Sequence, residues 1–349
     1  MNPEKYLDRA AELAAQVDPH LTAPNPRVGC VIFKGDQILA EGTHQQYGDP
    51  HAEAHALKQL NQGEAAGAEA AVTLQPCHYY QGKKTPSCTA ALIQAQIKKV
   101  WIGATDPHFT EADLDTLRQA GLEVEVLNTP HHAQLNPFFD TWITQHRPYI
   151  CLKVAQTLDG RITNGQRHIT SPASRAAVHQ MRAQYSGVLT TTATVKTDDP
   201  QLNVRLDASP SEGRLGGVMT HASLPHPISN PRVLVMGQSG LPASLKLHQV
   251  AGRQIDHLQT RDLNELITFC RQEQIDSLMT ECGGTLNAAL LEAGLVDEIQ
   301  IFMAPSVAGS TQTPAFNRAG NQTPLNLAGF KLVEQAALEN DVWLRYRRS

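Results

Sequence analysis

Short apolar runs alternate with longer amphipathic segments along the whole chain. In the first part, an opening helix leads into VGCVIFKGDQILAEGTH, two strands that turn at Lys34-Gly35-Asp36, and a helix follows from about residue 51 to 60. Further strands are predicted at 70–75, 98–104 and 122–127, with helices at 87–97 and 111–121. Because single strands alternate with helices, the pattern predicts an α/β sheet covered by helices.

A second series of elements begins after a helix and joint at 130–148. YICLKVAQTLDG opens it, and Thr170-Ser171-Pro172 is typical of a helix start, with a serine cap and a proline in the first turn. Strands are predicted at 186–191, 231–237, 276–282 and 297–305, helices at 172–185, 261–275 and 283–294, and a long surface excursion at 207–230. We therefore expect two α/β domains, residues 1–146 and 147–349.

Composition narrows the classes of partner. The 349 residues are 41% hydrophobic, and the formal charge of −5 provides no general attraction to nucleic acid, so a small-molecule substrate is expected. No apolar run approaches the roughly 20 residues of a membrane span, and the N-terminus lacks the apolar segment of a signal peptide. Six cysteines are too sparse for a disulfide scaffold. We expect a cytoplasmic protein that binds neither nucleic acid nor membrane.

The first candidate chemistry lies in HAEAHAL, residues 51–57, where Glu53 follows His51 by two positions. Alone, this pattern is typical of an ordinary polar helix start, because acids are favoured in the first turn. Cys77 directly after a strand and Cys88 at the next helix start change the interpretation. Histidine and two thiolates leave the open fourth position that catalytic zinc needs, and an acid beside the metal can move a proton. H-x-E followed by P-C and a second cysteine is the order found in zinc deaminases.

A structural zinc site is the alternative for these residues, with His55 or His78 as candidate fourth ligands. The spacing of the cysteines also differs from the usual signature. The second cysteine lies eleven residues after the first instead of the usual three.

The wide cysteine spacing agrees with a resemblance that covers nearly the whole chain. APNPRVGCVI, HAEAHAL, VTLQPC and GKKTPSC resemble the deaminase domain of the bifunctional riboflavin-biosynthesis deaminase/reductases. KVAQTLDGRI, ITSPASR, ATVKTDDPQLNVR and TECGGTLNAALLEAGLVDE resemble the reductase domain of the same family. Two unrelated sets of motifs in one order indicate membership of this family.

The resemblance implies an α/β protein with an N-terminal cytidine-deaminase-like three-layer domain and a C-terminal dihydrofolate-reductase-like domain. Zinc, held by His51, Cys77 and Cys88, would serve the hydrolytic deamination of 2,5-diamino-6-(5-phosphoribosylamino)pyrimidin-4-one, with Glu53 as proton shuttle. NADPH would then reduce the ribose of the product to a ribityl chain. We also expect a homo-oligomer, a dimer or tetramer.

Matching positions imply two further sets of residues. The cofactor would be lined by Ala155, His168, Thr194, Asp198, Gly283, Gly284 and Thr285, and the substrate by Asn25, Gln166, Arg182, Leu202, Arg205 and Glu281. Glycines let backbone amides approach a phosphate at a helix start, and arginines suit phosphate through forked donors. Each arginine could instead form an ion pair, and Asn25 could be a turn residue. Lys153 and Asp159, which flank a turn, could be structural.

Several departures from the family pattern lie near the presumed ligand sites. Gln75 stands where an acid usually precedes Pro-Cys, the loop between the cysteines is longer than usual, and HFTEADL replaces a glycine-containing loop after Asp106-Pro107. Gln166 and His168 replace a serine and a tryptophan, and Met236-Gly237 replaces an Asp-Ser pair. Either the pockets have been retuned or one activity has weakened.

Two alternative functions follow from these departures. One is a paralogue whose zinc deaminase acts on a related base or nucleotide, while the reductase-like half binds a ligand or dimerises. The other is a non-catalytic nucleotide-binding regulator. The complete His-Glu-Cys-Cys set argues against the regulator, because a binding module needs no acid beside a metal.

Overall fold

The computed structural model describes residues 3–78, 87–205, 230–318 and 325–348. The chain divides into two units, Met1–His146 and Arg147–Ser349. Most of the loop between the two candidate cysteine ligands and all but the last residue of the predicted surface excursion lie outside the described residues.

The N-terminal unit is built on a five-stranded sheet. Its elements are α1 (Glu4–Ala15), α2 (Pro19–Thr22), β1 (Gly29–Lys34), β2 (Gln37–Thr43), α3 (Ala52–Leu57), β3 (Glu69–Val72), α4 (Cys88–Gln94), β4 (Lys99–Ile102), a 3₁₀ turn (Glu111–Leu114), α5 (Asp115–Gln119), β5 (Glu123–Val126), α6 (Pro130–Ala133) and α7 (Pro137–Gln145). The strand order is β2-β1-β3-β4-β5. β1 is antiparallel to both neighbours, whereas β3, β4 and β5 run parallel.

Helices cover both faces of this sheet because β1 is apolar on both sides. Cys30 and Ile32 belong to a cluster that includes buried residues of α3 and α4. Val31 and Phe33 point to the other face, where Phe33 stacks on Tyr6 of α1 with ring centroids 3.7 Å apart. Successive strand residues alternate between faces, so one strand contributes to two cores and the unit has three layers.

The C-terminal unit is built on an eight-stranded sheet. Its elements are β6 (Tyr149–Thr157), α8 (Pro172–Arg182), β7 (Gly187–Thr191), α9 (Thr192–Asp198), β8 (Arg232–Met236), a 3₁₀ turn (Lys246–Gln249), β9 (Ile255–Leu258), α10 (Leu263–Gln272), β10 (Ser277–Thr280), α11 (Gly284–Glu292), β11 (Glu298–Ala304), β12 (Phe330–Leu338) and β13 (Asp341–Arg348). The strand order is β12-β13-β11-β6-β10-β7-β8-β9. The strands from β11 to β9 in this order are parallel, and the final hairpin is antiparallel.

The parallel arrangement brings the carboxyl ends of β6, β7, β8 and β10 to one edge of the sheet, where open α/β sheets bind ligands. The start of β6 is held from the opposite end by a buried ion pair. The Arg147 Nη1 and Nη2 atoms lie 2.6 and 2.7 Å from the two carboxylate oxygens of Asp297, which also accepts the backbone N–H of Ile150 at 2.9 Å. This forked pair ties the beginning of β6 to the segment that precedes β11.

The alternation of strands and helices predicted from the sequence is confirmed, including the hairpin that turns after Lys34 and the Ser171 cap of α8. Other predictions are wrong in detail. The helix expected at 111–121 begins as a 3₁₀ turn, and the helix expected to reach residue 60 ends at Leu57. The sequence pattern also missed α9, β9 and the hairpin of β12 and β13.

The longest helix among the described residues, α1, has 12 residues. Within those parts of the chain, no helix has the length and apolar character needed to pass through a membrane.

Close packing of α3 on β2 requires a glycine at position 42. A Cβ atom placed on Gly42 would lie 2.2 Å from the carbonyl oxygen of Ala52 and 2.5 Å from the backbone nitrogen of Ala56. These distances are far below van der Waals contact with backbone atoms that cannot rotate away. Only glycine therefore permits the helix to lie at its present distance from the strand.

We predict that Gly42→Ala destabilises the N-terminal unit by about 1–3 kcal/mol, the usual cost of forcing extra atoms into a packed interface. Urea unfolding followed by circular dichroism measures the change. Gly240→Ala is the control, because a Cβ there meets no atom within 4 Å. Equal stability of both variants and the wild type would show that α3 moves away from β2 without cost.

Candidate active sites

Three side chains of the N-terminal unit converge on one point. The Nδ1 atom of His51 lies 3.4 Å from the sulfur of Cys77 and 3.4 Å from the sulfur of Cys88. In the described part of the chain, this is the one group of three metal-ligating side chains whose ligand atoms all lie within 4.8 Å of one another. The sequence-predicted ligands are therefore brought together.

Local structure holds these residues at the ends of three elements. His51 is the N-cap of α3, Cys77 follows β3, and Cys88 is the first residue of α4. Ser87 caps α4 through the N–H of Ala90 at 3.4 Å and donates its hydroxyl to the Cys77 carbonyl at 2.9 Å. The hydrogen bonds of Ser87 thus fix the two cysteines relative to each other.

Glu53 lies in the first turn of α3 and is 2% exposed. Burial, reinforced by the negative charge of Cys77, raises the pKa of Glu53 to about 7. A carboxyl group with a pKa near neutrality can both accept and release a proton under physiological conditions. The structure thus brings Glu53 beside the three candidate ligands, in an environment suited to proton transfer.

The donor set fits catalytic zinc. The side chains of His51, Cys77 and Cys88 offer one nitrogen and two sulfur atoms within 4.8 Å of one another, which are ligand types that zinc prefers. His55, considered as a fourth ligand, has its Nδ1 within 2.9 Å of the carbonyl of Thr43, and neither it nor His78 belongs to the converging group. One nitrogen and two sulfur donors leave a position for water or substrate, as catalytic zinc sites require.

Asn25 is half-buried and contacts His44, a residue that no sequence motif indicates and that lies against His51. Its Nδ2 is 3.4 Å from Nε2 of His44, whose ring makes an edge contact with His51 at a centroid distance of 5.2 Å. No spacing rule distinguishes His44 from other polar residues that follow a strand. Only the fold reveals its proximity.

Two of the departures from the family pattern contact each other. The Gln75 amide donates to the Thr110 carbonyl at 3.2 Å and accepts the N–H of Asp106 at 3.4 Å. Gln75 is buried, and both the nitrogen and the oxygen of its side-chain amide are hydrogen-bonded to the segment 106–110. The two changes therefore form one local rearrangement beside Cys77.

A charged cluster lies at the carboxyl end of β10 in the C-terminal unit, beside the middle of the longer strand β6. Glu281 accepts from Arg182 at 2.6 Å and lies 3.7 Å from Lys153. Burial disfavours ionised Glu281, but Arg182 and then Lys153 outweigh it, so the pKa of Glu281 lies below its usual value. Arg182 thus forms a buried ion pair, and Lys153 belongs to the same cluster.

Arg205 lies near this cluster and is exposed, whereas Leu202 is buried. His179, which no family motif indicates, contacts both Arg182 and Arg205. Its spacing was the available signal, because residues three apart on a helix share a face and His179 precedes Arg182 by three positions.

The start of α11 suits a phosphate. Gly283 is the N-cap and offers no side-chain cap, and a Cβ there would project into open space. Gly284 is required for packing, since a Cβ would lie 2.2 Å from the Pro314 carbonyl. Thr285 is exposed in the first turn. Uncapped backbone N–H groups at a helix start bind phosphate, so this segment fits a dinucleotide cofactor.

Thr194 and Asp198 lie on α9, which follows β7 directly. The departure at Met236-Gly237 has a packing explanation here. A Cβ on Gly237 would lie 2.3 Å from the hydroxyl of Thr192, and the residue has a φ of +137°. Glycine at 237 therefore permits α9 to begin close to the end of β8.

The remaining predicted residues are more dispersed. Ala155 is half-buried in β6, opposite Phe302 of β11, whereas Gln166 and His168 are exposed in the loop before α8. The ring of His168 is exposed, but partial removal from water, together with the charges of nearby arginines, lowers the pKa of His168. Asp159 is structural, because it accepts the backbone N–H of Ala308 at 3.0 Å and of Gly309 at 2.8 Å.

Two family models match the chain. Residues 1–104 match the cytidine and deoxycytidylate deaminase zinc-binding region, and residues 148–344 match the RibD C-terminal domain. The predicted fold class, a cytidine-deaminase-like domain followed by a dihydrofolate-reductase-like domain, is confirmed.

Curated relatives match over almost the full length. The riboflavin biosynthesis protein RibD of Escherichia coli (strain K12) is 35% identical, covering 99% of both chains. RibD of Actinobacillus pleuropneumoniae is also 35% identical, covering 95% of this chain and 89% of the relative.

Solved structures agree. Acinetobacter baumannii RibD has a TM-score of 0.82 at 34% identity, with 99% of each chain covered. A diaminohydroxyphosphoribosylaminopyrimidine deaminase/5-amino-6-(5-phosphoribosylamino)uracil reductase from Thermotoga maritima has a TM-score of 0.80 at 27% identity, again with 99% coverage of each chain.

We predict that the purified protein contains about one zinc ion per chain, because one converging set of His and Cys donors satisfies the metal. Cys88→Ser should lose most of this zinc, since a hydroxyl is a far weaker ligand than a thiolate. Cys282→Ser, in the other unit, is the matched control and should retain it. Elemental analysis after chelator treatment makes the measurement, and full zinc retention by Cys88→Ser would exclude that residue as a ligand.

Proposed function

The chain belongs to the RibD family of riboflavin biosynthesis, and on this basis we propose which reaction each of its two units catalyses. It is a bifunctional enzyme with a zinc-binding deaminase domain and an NADPH-using reductase domain. The paralogue and the non-catalytic regulator receive less support than this function. We assign the deaminase to residues 1–146 and the reductase to residues 147–349.

The proposed deaminase reaction removes an amine from a diaminopyrimidine ribotide. His51, Cys77 and Cys88 would hold zinc, which would supply the Lewis acidity that activates water near neutral pH. Glu53 takes a proton from the attacking water and returns it to the departing amine, which leaves as ammonia. Asn25 binds the edge of the pyrimidine ring. The observation that supports this proposal best is the burial of Glu53 beside three converging ligands.

The proposed reductase reaction converts the ribose of the deaminated product to a ribityl chain. NADPH would supply the hydride and solvent the proton, and the uncapped start of α11 would bind the cofactor's phosphates through Gly283, Gly284 and Thr285. Ala155, His168, Thr194 and Asp198 complete the cofactor site. Gln166, Arg182, Leu202, Arg205 and Glu281 form the substrate site.

We further expect a homodimer or homotetramer that works in the cytoplasm. The measurements that address these expectations are light scattering of the purified protein and fractionation of the cells that express it.

Glu53→Gln tests the deaminase assignment. The amide is nearly isosteric with the acid but cannot accept the proton, so ammonia release should fall by roughly 10²- to 10⁴-fold. Zinc content should not change, and NADPH oxidation on the deaminated substrate should continue. Glu64→Gln, an exposed residue of the same unit, should leave ammonia release unaltered. Near-normal ammonia release by Glu53→Gln would remove Glu53 from the mechanism.

His168→Trp tests the cofactor site. An indole offers a larger face to the cofactor than an imidazole, so NADPH should bind roughly three- to tenfold more tightly, the scale of one aromatic contact. Titration calorimetry measures the dissociation constant. His248→Trp, on the exposed 3₁₀ turn, should leave it unchanged. Equal affinities of the His168 variant and the wild type would place His168 outside the cofactor site.

A further inference from the structure

His179 lies between the two arginines assigned to the reductase substrate. Its Nδ1 is 3.0 Å from Nη1 of Arg182 and 3.2 Å from the backbone nitrogen of Arg205. Its Nε2 is 3.1 Å from Nη2 of Arg205. One imidazole therefore contacts the buried arginine of α8 and both the backbone and the side chain of the exposed arginine.

The guanidinium of Arg182 is directed into the unit. Its Nε and Nη2 lie 2.7 and 2.6 Å from one oxygen of Glu281, and its Nη1 donates to the Asn203 carbonyl. The side chain is 7% exposed. Because most of its five N–H donors are used by protein partners, Arg182 has a fixed position and few donors for a ligand.

Arg205 differs from Arg182 in exposure and in the charge of its partners. Its side chain is exposed, and its Nη1 lies 2.9 Å from the Gln201 amide oxygen and 2.5 Å from that of Asn203. Both partners are neutral. A phosphate accepts shorter and stronger charge-assisted bonds, so it can replace them without leaving a buried group unpaired.

The ring of His179 carries no charge at neutral pH. Burial, followed by the positive charges of Arg182 and Arg205, lowers the pKa of His179 to about 4. A neutral imidazole has one donor and one acceptor nitrogen. When Nδ1–H donates to the Asn203 carbonyl at 3.0 Å, Nε2 accepts from the Arg205 guanidinium, and the ring adds no third positive charge beside Arg182. Its helix also carries Arg182, so the ring has a rigid support.

We propose that His179 is a positioning residue of the reductase, which holds the Arg205 guanidinium where it meets the 5-phosphate of the pyrimidine ribotide. The ion pair of Arg182 and Glu281 is the fixed part of this arrangement. His179 packs against Arg182 and holds Arg205 through its backbone and side chain, and Arg205 contacts the phosphate. The proposal rests on the proposed reductase function.

His179→Ala tests the proposal first. The KM for the deaminated pyrimidine ribotide should rise roughly tenfold, the scale of one charge-assisted hydrogen bond, while kcat and the KM for NADPH stay within about twofold. His179→Gln, which keeps a donor and an acceptor, should recover part of the loss. His248→Ala is the control. A fall in kcat with an unchanged substrate KM would overturn the proposal.

A double-mutant cycle with Arg205→Ala tests whether His179 acts through that residue. If it does, Arg205→Ala raises the substrate KM and adding His179→Ala raises it no further. Effects that multiply in the double variant would mean that the two residues act independently, and the proposal would fail.

The same substrate without its phosphate separates this proposal from the proposed function. Wild type should have a higher KM for the dephosphorylated compound, and His179→Ala should match wild type on it. If wild type accepts both compounds equally well, the phosphate site itself is wrong. If wild type prefers the phosphorylated compound and His179→Ala keeps the full preference, only the role of His179 is overturned.

Discussion

The close approach of α3 to β2 at Gly42 is the constraint on which the deaminase site depends. His51 caps α3 and Glu53 lies in its first turn, so the depth of this helix sets the positions of one ligand and of the proton shuttle together. Cys77 and Cys88 are linked to each other by Ser87. The site therefore contains two pairs of residues that are fixed separately: His51 with Glu53, and Cys77 with Cys88. A shift of α3 would move His51 and Glu53 away from both thiols.

In the reductase site, buried ion pairs hold the side chains in place instead of the close approach of a helix to a strand. Glu281 directly follows β10, and it meets Lys153 of the neighbouring strand β6 and Arg182 at the end of α8, which together form the charged cluster. Breaking such a buried pair leaves an uncompensated charge, which makes its geometry resistant to local change. Because each unit has its own core, the two activities can be altered separately.

The sequence predicted much of this organisation because some signals are local. His51, Glu53, Cys77 and Cys88 were predicted from residue type and spacing, and the structure brings them together. His44 was missed because it contacts Asn25, 19 positions away along the chain. The spacing of His179 from Arg182 indicated only half of its role, because its other contact, with Arg205, joins residues 26 positions apart. The ion pair between Arg182 and Glu281 joins residues 99 positions apart, and no periodicity predicts such a partner. The hairpin of β12 and β13 was missed although Trp343 of β13 is buried, because most side chains of β12 are exposed or half-buried and give only a weak apolar pattern.

The central claim is that one chain deaminates a pyrimidine ribotide and then reduces the product. The most direct test supplies the diaminopyrimidine ribotide and NADPH to the purified protein and records ammonia and NADPH in the same reaction. Ammonia release should begin at once, NADPH oxidation should follow after a lag, and the totals should approach one NADPH for each ammonia. Oxidation of NADPH without ammonia release, or complete deamination with no NADPH oxidised, would contradict the claim.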